Sequence, residues 1–257
     1  MADSLVKERN QAEIRRSASE ASKLRLAAIP GSNLDRYLDP PANTPYPLEY
    51  AFHLLGDARG KTVLDLGCGM GENIVPLVLR GAQVTGIDIS PDLIAIAQQR
   101  LRNANLEATL RSGDAYATGL PDESVDVIFC MALIHHLDLN LVREEMRRIL
   151  RKGGSIILRE PIRFSQTYAR LRQFLPAHDD ISEYEHPLTR TELVFMTASF
   201  RAHGARYFRL PFVPLVSHVF PSNRHASWKA SNWILRHWPA AQHYATAIVV
   251  RLEKDAA

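Results

Sequence analysis

Residues 61–73 read KTVLDLGCGMGEN. A short apolar run from Thr62 to Leu66 carries one carboxylate, Asp65, and then meets glycine on alternate positions: Gly67, Gly69 and Gly71. The run reads as a strand that ends in glycines and opens a helix. Glycines at such a junction let the backbone turn tightly, and they let a ligand approach it without meeting a Cβ.

Outward from this stretch, strands and helices alternate. QVTGID at 83–88 predicts a second strand, and Ser90 followed by Pro91 is a well-formed helix start, N-cap then first turn. Residues 107–111 predict a short third strand ending in Gly113-Asp114-Ala115. VDVIFCM at 125–131 is almost continuously apolar, as a central strand of a parallel sheet should be. A helix is expected over 139–150, then a turn at 152–154 into the strand GSIILRE. This alternation predicts an α/β fold built on a doubly wound parallel sheet. Upstream, 4–28 carries a weak helical stripe, and four prolines within 33–47 predict an extended loop before a short helix near 48–56. Downstream, helices are expected at 164–175 and 188–200, a strand at 204–210, an apolar helix at 228–238 and a last strand at 244–252.

Composition narrows the class. The chain has 257 residues, 46% apolar and 23% charged, with a net charge of +3 from 31 basic and 28 acidic residues. These values suit a globular protein. The charges read as spread along the chain without a basic block, so no nucleic-acid partner is expected. The two cysteines, Cys68 and Cys130, form no C-x-x-C pair, which argues against a zinc site or disulfide scaffold and fits a reducing cytoplasm. The first residues lack the apolar core of a signal peptide, and no run has transmembrane length.

The run at 62–71 resembles motif I of the class I S-adenosylmethionine-dependent methyltransferases: hydrophobics, then acid-x-Gly-x-Gly-x-Gly. A nicotinamide-binding unit would place its third glycine at position 72, which is Glu. The resemblance implies a Rossmann-like seven-stranded sheet with its last strand antiparallel, and S-adenosyl-L-methionine as cofactor, released as S-adenosyl-L-homocysteine. It also implies roles. Asp65 would help hold the methionine amino group, with Gly67, Cys68 and Gly69 in the loop beside it, although Cys68 reads equally as a packing residue. Asp88 would accept from both ribose hydroxyls, with Ile89 against the adenine face. Gly113, Asp114 and Ala115 would meet the adenine edge, and Met131 would flank the site at the end of the fourth strand. Two alternatives stay open: an NAD(P)-dependent oxidoreductase, and a protein that binds S-adenosylmethionine without transferring its methyl.

Catalytic groups are sought after strands four and five. His135, His136 and Glu160 are candidates for a general base, and each could instead simply hydrogen-bond its loop. Adjacent histidines do not share a helix face, so no metal site is expected. His186 and Glu183, in the acidic run 178–186, are further candidates. The expected organisation is an N-terminal helix and proline-rich lid over 1–47, then a methyltransferase domain over 48–257 with 160–203 and 211–242 as substrate-side caps. The second cap holds all three tryptophans and reads as a core-packing insertion, as an aromatic wall over a hydrophobic small-molecule acceptor, or as a dimer contact.

Overall fold

The computed structural model describes residues 2–23, 31–165 and 186–256. Strand β1, Thr62–Leu66, lies at the centre of one sheet. Parallel to it run β2, Gln83–Asp88, on one side and β4, Val125–Met131, on the other. With β3 (Thr109–Ser112), β5 (Leu150–Pro161), β6 (Arg201–Phe208) and β7 (Ala247–Glu253) the order is β3-β2-β1-β4-β5-β7-β6. Only β7 runs antiparallel to its neighbours. The strand order reverses between β1 and β4, and ligands of open α/β sheets bind outside the carboxyl ends at such a point.

The period-2 alternation of the strands divides the core between two faces. Leu64, Leu66, Ile128, Cys130, Ile156 and Leu158 face α6, Leu139–Ile149, and α7, Arg190–Thr197. Val63, Val127, Phe129 and Ile157 face α3 (Pro47–Leu55), α4 (Ile74–Leu79) and α5 (Pro91–Ala104). The start of α5 forms as its sequence dictates, with the Ser90 hydroxyl accepting from Leu93 N at 3.3 Å. Helix α1, Ala2–Lys23, packs along α5.

Two expectations need correction. The segment 33–47 is not one extended loop, because a helix α2 spans Gly31–Leu38. Its prolines all follow Leu38, and Leu34 and Tyr37, one turn apart, pack against the α3 face. No turn separates α6 from the next strand, since β5 begins at Leu150 and passes through Gly153 at φ +72°. The region 160–203 contributes to the sheet and the core where it is described. Glu160 belongs to β5, residues 201–203 belong to β6, and Leu193 and Met196 of α7 join Val142 and Met146 of α6 in the core. The expected helix at 164–175 and the acidic run lie almost entirely outside the described residues.

Between β6 and β7, residues 211–244 form α8 (Phe212–Val219), a short turn and α9 (Arg224–His237), followed by the 3-10 turns of Pro239–Tyr244. Because β6 runs parallel to β1 and β7 returns, this pair sits at the carboxyl edge of the sheet. It meets the segment before β1. Tyr46 hydrogen-bonds His225 and lies 5.5 Å from the Trp228 ring, and the Arg206 guanidinium donates to the carbonyls of Ala42 and Thr44 at 2.8 and 2.7 Å.

Candidate active site

The glycine loop has the backbone its sequence calls for. Gly67, Gly69 and Gly71 sit at φ +73°, +50° and +75°, where a side chain is strained. Their surroundings differ. A Cβ on Gly71 would lie 2.9 Å from Cβ of Ala97, so this glycine lets α5 pack on the loop. A Cβ on Gly67 would come within 2.8 Å of the Leu133 side chain. A Cβ on Gly69 would meet nothing within 4 Å and project into open space.

Two carboxylates stand beneath this loop. Asp88, at the end of β2, accepts from Gly69 N at 2.8 Å and from Ser90 N at 3.0 Å. Burial raises its pKa, and these bonds oppose the shift. Asp65 is fully buried and neither of its oxygens has a hydrogen-bond partner. Burial, helped by the neighbouring charge of Asp88, pushes its pKa up to about 8. A buried carboxylate left this way is matched by a cationic, hydrogen-bonding ligand. An aminoacyl ammonium fits Asp65, and the space above Gly69 admits the chain that carries it.

A cleft opens beside this loop. Its floor includes Leu66, Gly67, Ile87, Asp88 and Ile89, and its far wall Gly113, Asp114 and Ala115. The roof is α1, through Arg9, Asn10, Glu13 and Ser17. Asn10 Nδ2 donates to Asp114 Oδ2 at 2.8 Å, while Asp114 Oδ1 accepts from Tyr116 N at 2.9 Å. Helix α1 is therefore tied to the Asp114 wall of the cleft. Sequence reading missed these partners because α1 carries only a weak apolar stripe and its contact spans 104 residues.

The third wall is the loop after β4, containing Ala132, Leu133, His136 and Leu137. Ala132 takes φ +57°, and its N–H donates to Arg159 O at 2.7 Å. Glu160, buried at the end of β5, clamps the rest of the loop. Its Oε1 accepts from Leu133 N at 2.9 Å and Ile134 N at 3.0 Å, and its Oε2 accepts from His135 Nδ1 at 2.7 Å. An ionised carboxylate only accepts, so the proton is on Nδ1 and Nε2 is the basic nitrogen of His135. His136 packs its ring 4.0 Å from that of His135, and its Nδ1 lies 3.6 Å from Glu13 Oε2 on the lid.

Two expected cofactor residues turn elsewhere. Cys68 points into the core between α4 and β2, with Sγ 3.1 Å from where a Gly86 Cβ would stand, and burial raises its thiol pKa far above the usual range. The Met131 side chain packs with Phe129 on the α3 face instead of lining the cleft. For Met131 this follows from parity, since it shares a face with Phe129 and Val127 on β4. His186 is an exposed partner of Glu192 at 2.8 Å, beside the α7 N-terminus. Among the described residues no group of His, Cys, Asp and Glu could hold a metal. A side chain not singled out from sequence is Arg159, aligned with Met131 on β5, whose buried Nε has no hydrogen-bond partner and whose pKa is lowered by burial.

Comparison with known proteins places this geometry. A family described as "Methyltransferase domain" matches residues 64–158, from β1 into β5. Demethylmenaquinone methyltransferase of Tropheryma whipplei is 32% identical over 190 residues, covering 65% of this chain and 77% of that protein. Phosphatidylethanolamine N-methyltransferase of Cereibacter sphaeroides is 36% identical over 105 residues, covering 40% of this chain and 51% of that one. Among solved structures, geranyl diphosphate C-methyltransferase from Streptomyces coelicolor A3(2), bound to S-adenosyl-L-homocysteine, superposes with a TM-score of 0.60 at 16% identity, over 80% of this chain and 77% of that one. The chain belongs to the class I S-adenosylmethionine-dependent methyltransferases. It is a methyl-transferring enzyme whose cofactor is S-adenosylmethionine, and the nicotinamide alternative falls away.

Proposed function

We propose that this enzyme methylates an O, N or C atom of an apolar small molecule, with His135 as general base and Glu160 as the group that orients it. The observation that supports this reading is the 2.7 Å contact from His135 Nδ1 to buried Glu160, in a loop whose neighbouring residues Leu133 and His136 wall the cleft. The acceptor class is supported by the two curated relatives, named for demethylmenaquinone and phosphatidylethanolamine, each a polar head joined to hydrocarbon.

When bound, S-adenosylmethionine supplies a methyl on a cationic sulfur already activated for displacement. Asp65 would hold its ammonium, the Gly67–Gly69 backbone would lie along the methionine, Asp88 would accept from the ribose, and Ile89, Gly113, Asp114 and Ala115 would surround the adenine. What remains for the protein is to align the acceptor, exclude water under α1 and take a proton where the acceptor carries one. His135 Nε2 suits an O–H or N–H acceptor.

The reading is tested by incubating the enzyme and labelled S-adenosylmethionine with a lipid extract. Label in an organic-soluble product, lost in His135→Ala, supports it. Label only in water-soluble products rejects the acceptor class.

A further inference from the structure

The even spread of charge expected from composition breaks down near the C-terminus. Residues 193–252 contain seven Arg or Lys and five His, and no Asp or Glu. The α8–α9 cap lies within this stretch. Of the ten large apolar side chains exposed among the described residues, six belong to it: Leu215, Val219, Phe220, Trp233, Trp238 and Tyr244. The tryptophans are not stranded singly. Trp233 stacks on His237 at 4.8 Å and meets Trp238 edge-on at 5.4 Å.

Helix α9 sorts these residues by face. Ser227, Ser231 and Leu235 turn inward, while Lys229, Trp233, Arg236 and His237 lie exposed. A core-facing helix with bare tryptophans flanked by cations, on an element free of acids, has the composition of a segment lying in a bilayer interface. Trp and Tyr rings settle at the headgroup level, aliphatic side chains enter the acyl boundary, and Lys and Arg meet anionic lipid phosphates.

We infer that the α8–α9 cap is a docking surface for an anionic membrane. Charge decides against a second copy of this chain, because two acid-free basic faces would repel. The aliphatic Leu215 and Val219 decide against a nucleic acid, whose backbone asks for a denser cationic track. The cap stands at the carboxyl edge of the sheet, the edge at which the cofactor loops lie, so a docked enzyme presents its site toward the bilayer. The inference is independent of which atom is methylated.

The test is sedimentation of the full-length enzyme with vesicles of phosphatidylcholine alone and of phosphatidylcholine mixed with phosphatidylglycerol. Wild type should partition onto the anionic vesicles at least about tenfold more strongly than onto the neutral ones, and high salt should weaken this. Trp233→Ala with Trp238→Ala, and separately Lys229→Glu with Arg236→Glu, should each lower partition about tenfold or more, with S-adenosylmethionine affinity unchanged as proof of folding. Absence of wild-type partition overturns the inference, as does partition that survives both pairs of substitutions. Equal binding to neutral vesicles rejects its charged component. A dimer dissolved by the tryptophan substitutions, or retention of single-stranded RNA in place of vesicles, reassigns the surface and overturns it.

Discussion

Oε2 of Glu160 lies 2.7 Å from Nδ1 of His135, while Oε1 of the same carboxylate accepts from the backbone of Leu133 and Ile134. One buried side chain thus fixes both the path of the β4–α6 loop and the tautomer of its histidine. Replacing His135 by Ala should lower kcat by about a hundredfold or more, as loss of a general base does, while donor affinity stays within about threefold. Equal loss of both would mean the histidine merely shapes the cleft. Glu160→Gln should lower kcat and also destabilise the fold by ~1–3 kcal/mol, because an amide cannot accept all three bonds.

Asp65 gives a pH signature. Its folded pKa of about 8 exceeds the ordinary carboxylate value, so between roughly pH 4 and pH 8 the folded ligand-free protein holds a proton that the unfolded chain releases. Stability should therefore fall as pH rises through that window, and Asp65→Asn should flatten the fall. Urea unfolding of both proteins at pH 5 and pH 7.5 measures it. An ammonium paired with Asp65 would ionise it, so donor binding below pH 7 should release a proton, read as a buffer-dependent enthalpy in calorimetry. A pH-independent difference between the two proteins would deny the protonated state.

Gly71 and Gly69 of the loop should fail differently. Gly71→Ala drives a methyl against Ala97 Cβ at 2.9 Å on a backbone at φ +75°, so the loss should be ~1–3 kcal/mol of stability. Gly69→Val meets open space, so the protein should fold and lose donor binding. If Gly69→Val binds the donor normally, the methionine does not pass over this residue.

Asn10 on Asp114 joins the lid to the far wall of the cleft. Deleting residues 2–23 should therefore cost at least about tenfold in S-adenosylmethionine affinity, besides any loss in turnover from admitted water. Affinity unchanged on deletion would make α1 a surface helix only.

What the sequence disclosed was local. The glycine loop, the Ser90–Pro91 helix start, β4 and β7 are each written in a few adjacent residues, and their chemistry needs no distant partner. Asp88, Asp114 and Glu160 were legible as residues because they end strands. Their partners were not. Nothing adjacent to Asn10 or Glu13 marks it as a neighbour of Asp114 or His136, and nothing near Glu160 marks its hold on residues 133–135. Cys68 and Met131 were placed by motif position without asking which way each residue faces. Helix α2 was hidden because proline density was averaged over 33–47, although every proline follows it.

The most direct measurement of the central claim is methyl transfer from labelled S-adenosylmethionine to a lipid extract, comparing wild type with Asp88→Ala, which removes a half-buried carboxylate acceptor beneath the glycine loop. The account predicts label in an organic-soluble product with wild type, and donor affinity reduced by ~2 kcal/mol or more in the mutant with a matching loss of product. Tight donor binding by wild type with no label transferred to any acceptor, or a mutant that binds and transfers like wild type, would contradict it.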